Sequence, residues 1–172
     1  TFYNSGREGS SVYESKAFRR GNGSQYSDSQ VKTETVKTID LDRWIKENFS
    51  EDDHIILKMD IEGAEYEVLS HMIKNGSIKY INKLFMEWHC AKTKEVSVEQ
   101  HIEVLEGLLA EQLIPYHWSY TRTNFNSIAT SKRNIAREDK SDNNEKLKSF
   151  EQFEKRYNVL CEGFIKLQKQ QA

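Results

Sequence analysis

Two carboxylates and a glycine lie where an apolar run gives way to a helical pattern, in the segment from Lys58 to Glu65 with the sequence KMDIEGAE. The preceding run, Ile55 to Leu57, is continuously apolar, which is typical of a parallel strand buried on both faces. The pattern that follows predicts a helix from Ala64 to about Asn75. In open α/β sheets, ligands bind just beyond the carboxyl ends of the strands, so Asp60 and Glu62 are candidate functional groups.

These side chains allow several kinds of chemistry. Asp60 can act as a general base or as a ligand of a hard cation such as Mg²⁺, or it can simply cap the helix. Glu62 can bind the same cation or share a proton with Asp60, although the helix dipole also favours an acid there without catalysis. Lys58 interrupts an apolar strand and needs a partner, for which Asp60 and Glu87 are the candidates. Gly63 indicates a tight turn or the close approach of a ligand.

A second apolar run places two more polar groups at the same edge. Leu84 to Trp88 predicts another buried strand, and His89 follows its end. His89 could be a general base, with a pKa suited to neutral pH, or an ordinary polar residue at a strand end. Glu87 would complete a cation site with Asp60 and Glu62.

The remaining patterns predict the elements that position these groups. Their order, strands alternating with helices, predicts an α/β fold with a mainly parallel sheet. Glu65 is expected to bond free N–H groups at the start of its helix. The expected elements are a loop over residues 1–30 with a short strand at Phe2-Tyr3; a strand from Val31 to Ile39; a short helix capped by Asp40 with Leu41, Trp44 and Ile45 inside; the stripe Ala64, Val68, Leu69 and Met72, ended by Gly76; a helix over 98–113; a strand over 116–120; a charged loop over 131–148; and a C-terminal helix within 149–172, weakened at Gly163.

The bulk composition bounds the class of protein. The chain has 172 residues, 30% charged and 37% hydrophobic, which suits one globular domain or part of one. Its net charge of −2 gives no reason to expect nucleic acid or an anionic membrane as a partner, and no apolar run is long enough for a membrane span. Cys90 and Cys161 fit no metal or redox spacing, which favours a reducing, cytoplasmic compartment.

Three motifs together resemble the FkbM-type family of S-adenosylmethionine-dependent methyltransferases, over about residues 31–120. They are Val36 to Asp42 (VKTIDLD), Ile56 to Leu69 (ILKMDIEGAEYEVL) and Met86 to His89 (MEWH). The resemblance implies a Rossmann-like class I methyltransferase sheet and transfer of a methyl group to a hydroxyl of a sugar, glycan or other small molecule. It further implies that Asp60, His89 and Lys58 are catalytic and that Asp60, Glu62 and Gly63 contact S-adenosylmethionine.

The chain departs from the family pattern in its cofactor half. Such methyltransferases hold the cofactor with a Gly-rich loop after the first strand and an acid after the second, and neither pattern is found here. We therefore expect residues 1–130 to be a partial domain that lacks the N-terminal βα units. Two other functions stay open: a non-catalytic interaction module in a larger polypeptide, which could include a glycosyltransferase domain, and a hard-cation enzyme of another class using Asp60, Glu62 and Glu87.

Overall fold

The structure is a computed structural model that describes residues 1–6, 9–18, 30–117 and 143–171. Its elements are β1 (Phe2–Asn4), α1 (Glu14–Ala17), β2 (Lys32–Glu34), α2 (Leu41–Asn48), β3 (Ile55–Met59), α3 (Glu65–Asn75), β4 (Ile81–Met86), α4 (Val98–Ala110), β5 (Pro115–His117) and α5 (Asn143–Gln171). Two short 3₁₀ helices, Ser77–Tyr80 and Cys90–Lys92, flank β4.

The central sheet consists of three parallel strands in the order β3-β4-β5. Leu57 pairs with Leu84 and Met59 with Met86, and the buried side chains of these strands face the helices. The predicted mixed α/β class with a parallel sheet is confirmed for the described residues, and it is compatible with a Rossmann-like fold. The strand that was expected over 84–88 instead ends at Met86, although the Glu87 N–H still donates to the Met59 carbonyl at 3.1 Å.

The expectation that β3 is buried on both faces is wrong. Ile56 is 58% exposed, whereas Met59 on the other face is 3% exposed. Along β3, the exposed Ile56 and Lys58 alternate with Ile55, Leu57 and Met59, so among the described residues one face of the strand is packed and the other is open. The apolar sequence indicates a hydrophobic strand, but it does not indicate which face of the strand packs against another element.

The N-terminal strands form a separate sheet. The short strand expected at Phe2-Tyr3 is present as β1, and it pairs antiparallel with β2 rather than with the parallel sheet. The strand expected over 31–39 is therefore limited to Lys32–Glu34, and Val36 and Ile39 are exposed.

Local capping signals, in contrast, correctly predicted the start of α2 and the end of α3. The Asp40 side chain accepts the Arg43 N–H at 3.2 Å and begins α2, where Ile45 is buried but Trp44 is exposed. Gly76 ends α3 with a φ of 90°, in the left-handed region that glycine adopts without strain.

The C-terminal helix α5 is longer than expected. It begins at Asn143, so residues 143–148 are helical, while residues 131–142 of the predicted loop and 118–120 of the predicted last strand lie outside the described residues. Tyr157, Leu160, Phe164 and Leu167 are buried, as their spacing predicts. Gly163 does not interrupt the helix, and a Cβ there would lie 2.6 Å from Leu109 Cδ2, so the glycine allows close packing on α4. In the part of the chain that the structure describes, no helix is long and apolar enough to cross a membrane.

Candidate active site

The turn from β3 to α3 begins at Asp60 and contains two residues with a positive φ angle. Glu62 has a φ of 56° and Gly63 a φ of 114°. A Cβ at Gly63 would lie 2.8 Å from Thr93 Oγ1 and 2.9 Å from Tyr13 Cδ2. The glycine is thus required by backbone conformation and by packing of protein side chains; its expected contact with a cofactor stays a prediction.

Glu65 holds the turn from within the core. Its side chain is fully buried and accepts the N–H groups of Ile61 at 3.0 Å and Gly63 at 2.9 Å. A third contact joins its Oε1 to His89 Nδ1 at 2.8 Å. The structural role expected of Glu65 is confirmed, but the N–H groups it bonds belong to the turn before α3, and the histidine was not foreseen as its partner.

His89 is a buried cation among carboxylates. It is 1% exposed, and its Nε2 lies 3.2 Å from Glu62 Oε2 and 3.5 Å from Glu87 Oε1. Burial by itself would lower the pKa of His89, but the hydrogen bonds to Glu65 and Glu87 and the negative charges of Glu65 and Glu62 raise it to about 9.

The expectation that His89 has a pKa suited to base catalysis near neutrality is therefore wrong. A pKa raised to about 9 keeps the His89 imidazole protonated near neutral pH. Instead, His89 Nδ1 is hydrogen-bonded to Glu65 and Nε2 forms an ion pair with Glu62, and these two contacts join the segment after β4 to the turn after β3.

Asp60 and Lys58 form a partly exposed ion pair at this edge. Lys58 Nζ lies 3.1 Å from Asp60 Oδ2, which confirms one of the two partners expected for the lysine. The side chains are 40% and 29% exposed, so the premise that Lys58 is buried is wrong. Asp60 does not cap the helix, because the N-cap of α3 is Ala64 and no side chain caps it.

A segment near the N-terminus packs over the turn, and sequence reasoning missed it. Ser11 Oγ donates to the Glu62 carbonyl at 2.6 Å, and the buried Lys16 forms an ion pair with the Glu62 carboxylate. Tyr13 donates its hydroxyl to Glu67 at 2.7 Å; burial and this hydrogen bond raise the pKa of Tyr13, so the hydroxyl keeps its proton. The Ser- and Gly-rich composition of residues 1–30 carries no signal for these long-range contacts.

The predicted cation site is only partly assembled. Ligand atoms of Asp60, Glu62 and His89 lie within 4.8 Å of one another, whereas Glu87 is outside this group. In the arrangement shown, these residues do not fit a divalent cation, because the Lys16 ammonium already faces the Glu62 carboxylate. The charges of the edge also balance without a metal ion: four carboxylates (Asp60, Glu62, Glu65 and Glu87) lie beside four cationic groups (Lys16, Lys58, Lys92 and protonated His89).

The residues expected to contact S-adenosylmethionine differ in access. Gly63 is covered by Tyr13 and Thr93, and Glu62 is engaged by Lys16 and His89. Asp60 is 29% exposed and pairs with the exposed Lys58, whereas Glu62 is 24% exposed and pairs with the buried Lys16 and His89. The Asp60 carboxylate is therefore the better placed of the two to meet the hydroxyl groups of a cofactor or acceptor.

One of three comparisons with known proteins gave a match. A family model described as the methyltransferase FkbM domain matches residues 1–114. The matched range contains the turn after β3, the end of β4 and also the N-terminal segment that packs over them. No curated protein and no solved structure matches the chain.

Proposed function

The chain belongs to the FkbM methyltransferase family, and from this premise we propose that it transfers a methyl group from S-adenosylmethionine to a hydroxyl of a sugar, glycan or other small molecule. The observation that carries the proposal is Asp60, a partly exposed carboxylate directly after a parallel strand, tied to Lys58 at 3.1 Å. Ligands of such sheets bind at this edge.

Asp60 would accept the proton of the attacking hydroxyl. Methyl transfer to oxygen is an in-line displacement, and S-adenosylmethionine supplies the electrophilic methyl group when it is bound. An unactivated hydroxyl needs a base, and a positioned carboxylate typically contributes about 10²- to 10⁴-fold to the rate. Lys58, 3.1 Å from Asp60 Oδ2, would fix the orientation of that carboxylate.

The other groups of the edge would position Asp60 rather than react. Glu65 and His89 join the turn after β3 to the segment after β4, and both are buried away from an acceptor. We therefore assign His89 the role of a charged hydrogen-bond donor within this network. Glu62 would be the link between the network and the N-terminal segment.

A second candidate function is a methyltransferase-like module without activity. It is favoured by the covered Gly63 and by the absence of a Gly-rich loop from the sequence, since both leave few groups to grip a cofactor. Calorimetry with S-adenosylmethionine separates the two functions, if it is done on this chain and on a chain extended upstream. Binding by either chain supports an enzyme, and binding by neither would contradict the proposal.

Product formation tests the reaction itself. S-adenosylhomocysteine should accumulate when the protein is incubated with S-adenosylmethionine and a panel of saccharides, and its formation should survive EDTA. If no S-adenosylhomocysteine forms and the saccharides are instead converted to another product only with added divalent ions, a hard-cation enzyme of another class is favoured.

A further inference from the structure

We infer that the Lys16 ammonium is the internal counter-ion of the cluster formed by Asp60, Glu62 and His89. Lys16 occupies the place that a divalent ion would take beside Glu62, and it is a positioning residue for the turn that carries Asp60. The inference goes beyond the proposed reaction, because cation binding and stability can both be measured without turnover.

The contacts of Glu62 carry this inference. Its Oε2 is the atom that faces both the Lys16 ammonium and His89 Nε2, and Glu62 belongs to the group whose ligand atoms lie within 4.8 Å of one another. Lys16 is 6% exposed, and an ammonium is rarely buried unless it is paired. Glu62 is therefore the counter-ion that makes the burial of Lys16 possible.

The backbone around Lys16 is held so that its side chain must point at this cluster. Ser11 Oγ donates to the Glu62 carbonyl, and Tyr13 donates to Glu67 on α3. Ser15, directly before Lys16, hydrogen-bonds Glu95 through its hydroxyl and accepts the Lys94 N–H at 3.0 Å. The lysine therefore extends to the cluster from a segment whose preceding residues are held by hydrogen bonds to distant parts of the chain, which distinguishes it from an unanchored surface lysine.

A divalent ion and this ammonium exclude each other. An ion bound by Asp60 and Glu62 would share an oxygen with the ammonium and would meet its charge at close range in a buried setting. The native protein should consequently bind no metal here, and removal of the ammonium should let Asp60 and Glu62 bind a cation, whose charge would displace the proton of His89. An arginine at the same position keeps the charge and should keep the site closed.

The test is a Mn²⁺ titration in which the free ion is followed by electron paramagnetic resonance. All variants carry His71→Ala, because Asp40, Asp42 and His71 form a second group with possible ligand atoms. Lys16→Met should bind one Mn²⁺ at least about tenfold more tightly than the protein with Lys16 intact, and Lys16→Arg should not. Lys79→Met, at an exposed lysine outside the cluster, is the matched control and should behave like the parent.

Thermal unfolding with and without Mn²⁺ gives a second readout. A purely structural role of Lys16 would not make the melting temperature of Lys16→Met depend on Mn²⁺. Lys16→Met should melt several degrees below the parent, and Mn²⁺ should restore part of this loss, because a ligand bound by the folded state stabilises it. The inference is overturned if the parent already binds Mn²⁺ at this cluster, which requires no variant to fold. It is equally overturned if folded Lys16→Met binds Mn²⁺ no more tightly than the parent, whatever its stability.

Discussion

Replacement of Glu65 tests how the turn after β3 is held. The Glu65 side chain is fully buried and makes three contacts, with the N–H groups of Ile61 and Gly63 and with His89 Nδ1 at 2.8 Å. Glu65→Gln keeps the shape but removes the charge and one acceptor oxygen. A hydrogen bond to a charged group contributes about 1.5–3 kcal/mol, and a buried ion that loses its partner costs about 3–5 kcal/mol unless it neutralises.

His89 can lose its proton in the variant, which limits the penalty. We therefore expect Glu65→Gln to lower the free energy of unfolding by about 3 kcal/mol, between these two limits. Glu65→Ala also leaves two buried N–H groups without an acceptor, at about 1–3 kcal/mol each. The total then approaches the whole stability of a typical domain, so this variant should be largely unfolded.

The assay is urea unfolding at pH 6.5, followed by far-ultraviolet circular dichroism. With a slope of about 2 kcal/mol per molar urea, Glu65→Gln should shift the midpoint by about 1.5 M. Glu103→Gln, at an exposed position of α4, is the control and should stay within about 0.5 kcal/mol of the parent. If Glu65→Gln is as stable as this control, the buried carboxylate does not hold the turn.

Two further predictions concern the same turn. The pKa of His89 rises from 6.5 to about 9 on folding, so its stabilisation is complete below pH 6.5 and is lost as the pH rises through 9. The urea midpoint should therefore fall more steeply between pH 7 and 9.5 in the parent than in Glu65→Gln, and equal slopes would count against a charged His89. Gly63→Ala should destabilise the fold by about 2–4 kcal/mol, because it combines a strained positive φ with overpacking. Thermal unfolding measures this, and a loss under about 0.5 kcal/mol would show that Thr93 and Tyr13 move aside freely.

Local signals explain how much of the fold could be predicted. The cap at Asp40, the end of α3 at Gly76 and the buried stripe of α5 each depend on residues within a few positions of one another. The position of Asp60 after β3 was predictable for the same reason, since an apolar run followed by a helical period defines the turn between them.

Contacts between distant segments explain what could not be predicted. The exposure of Ile56 depends on which face of the sheet has a helix layer, and the pKa of His89 depends on Glu65 and Glu87 in three dimensions. Lys16 reaches Glu62 from a Ser- and Gly-rich segment that has no periodic pattern. A lysine in such a segment is ordinarily a surface residue, so its burial follows only from the folded structure.

The most direct test of the proposed reaction is the rate of S-adenosylhomocysteine formation by Asp60→Asn, in whichever form of the chain binds S-adenosylmethionine. Asparagine keeps the size of the side chain but cannot accept the hydroxyl proton. We expect the rate to fall at least about 100-fold with an unchanged circular dichroism spectrum, while Asp52→Asn, an exposed control, retains the parent rate. A rate for Asp60→Asn equal to that of the control would contradict the central role of Asp60.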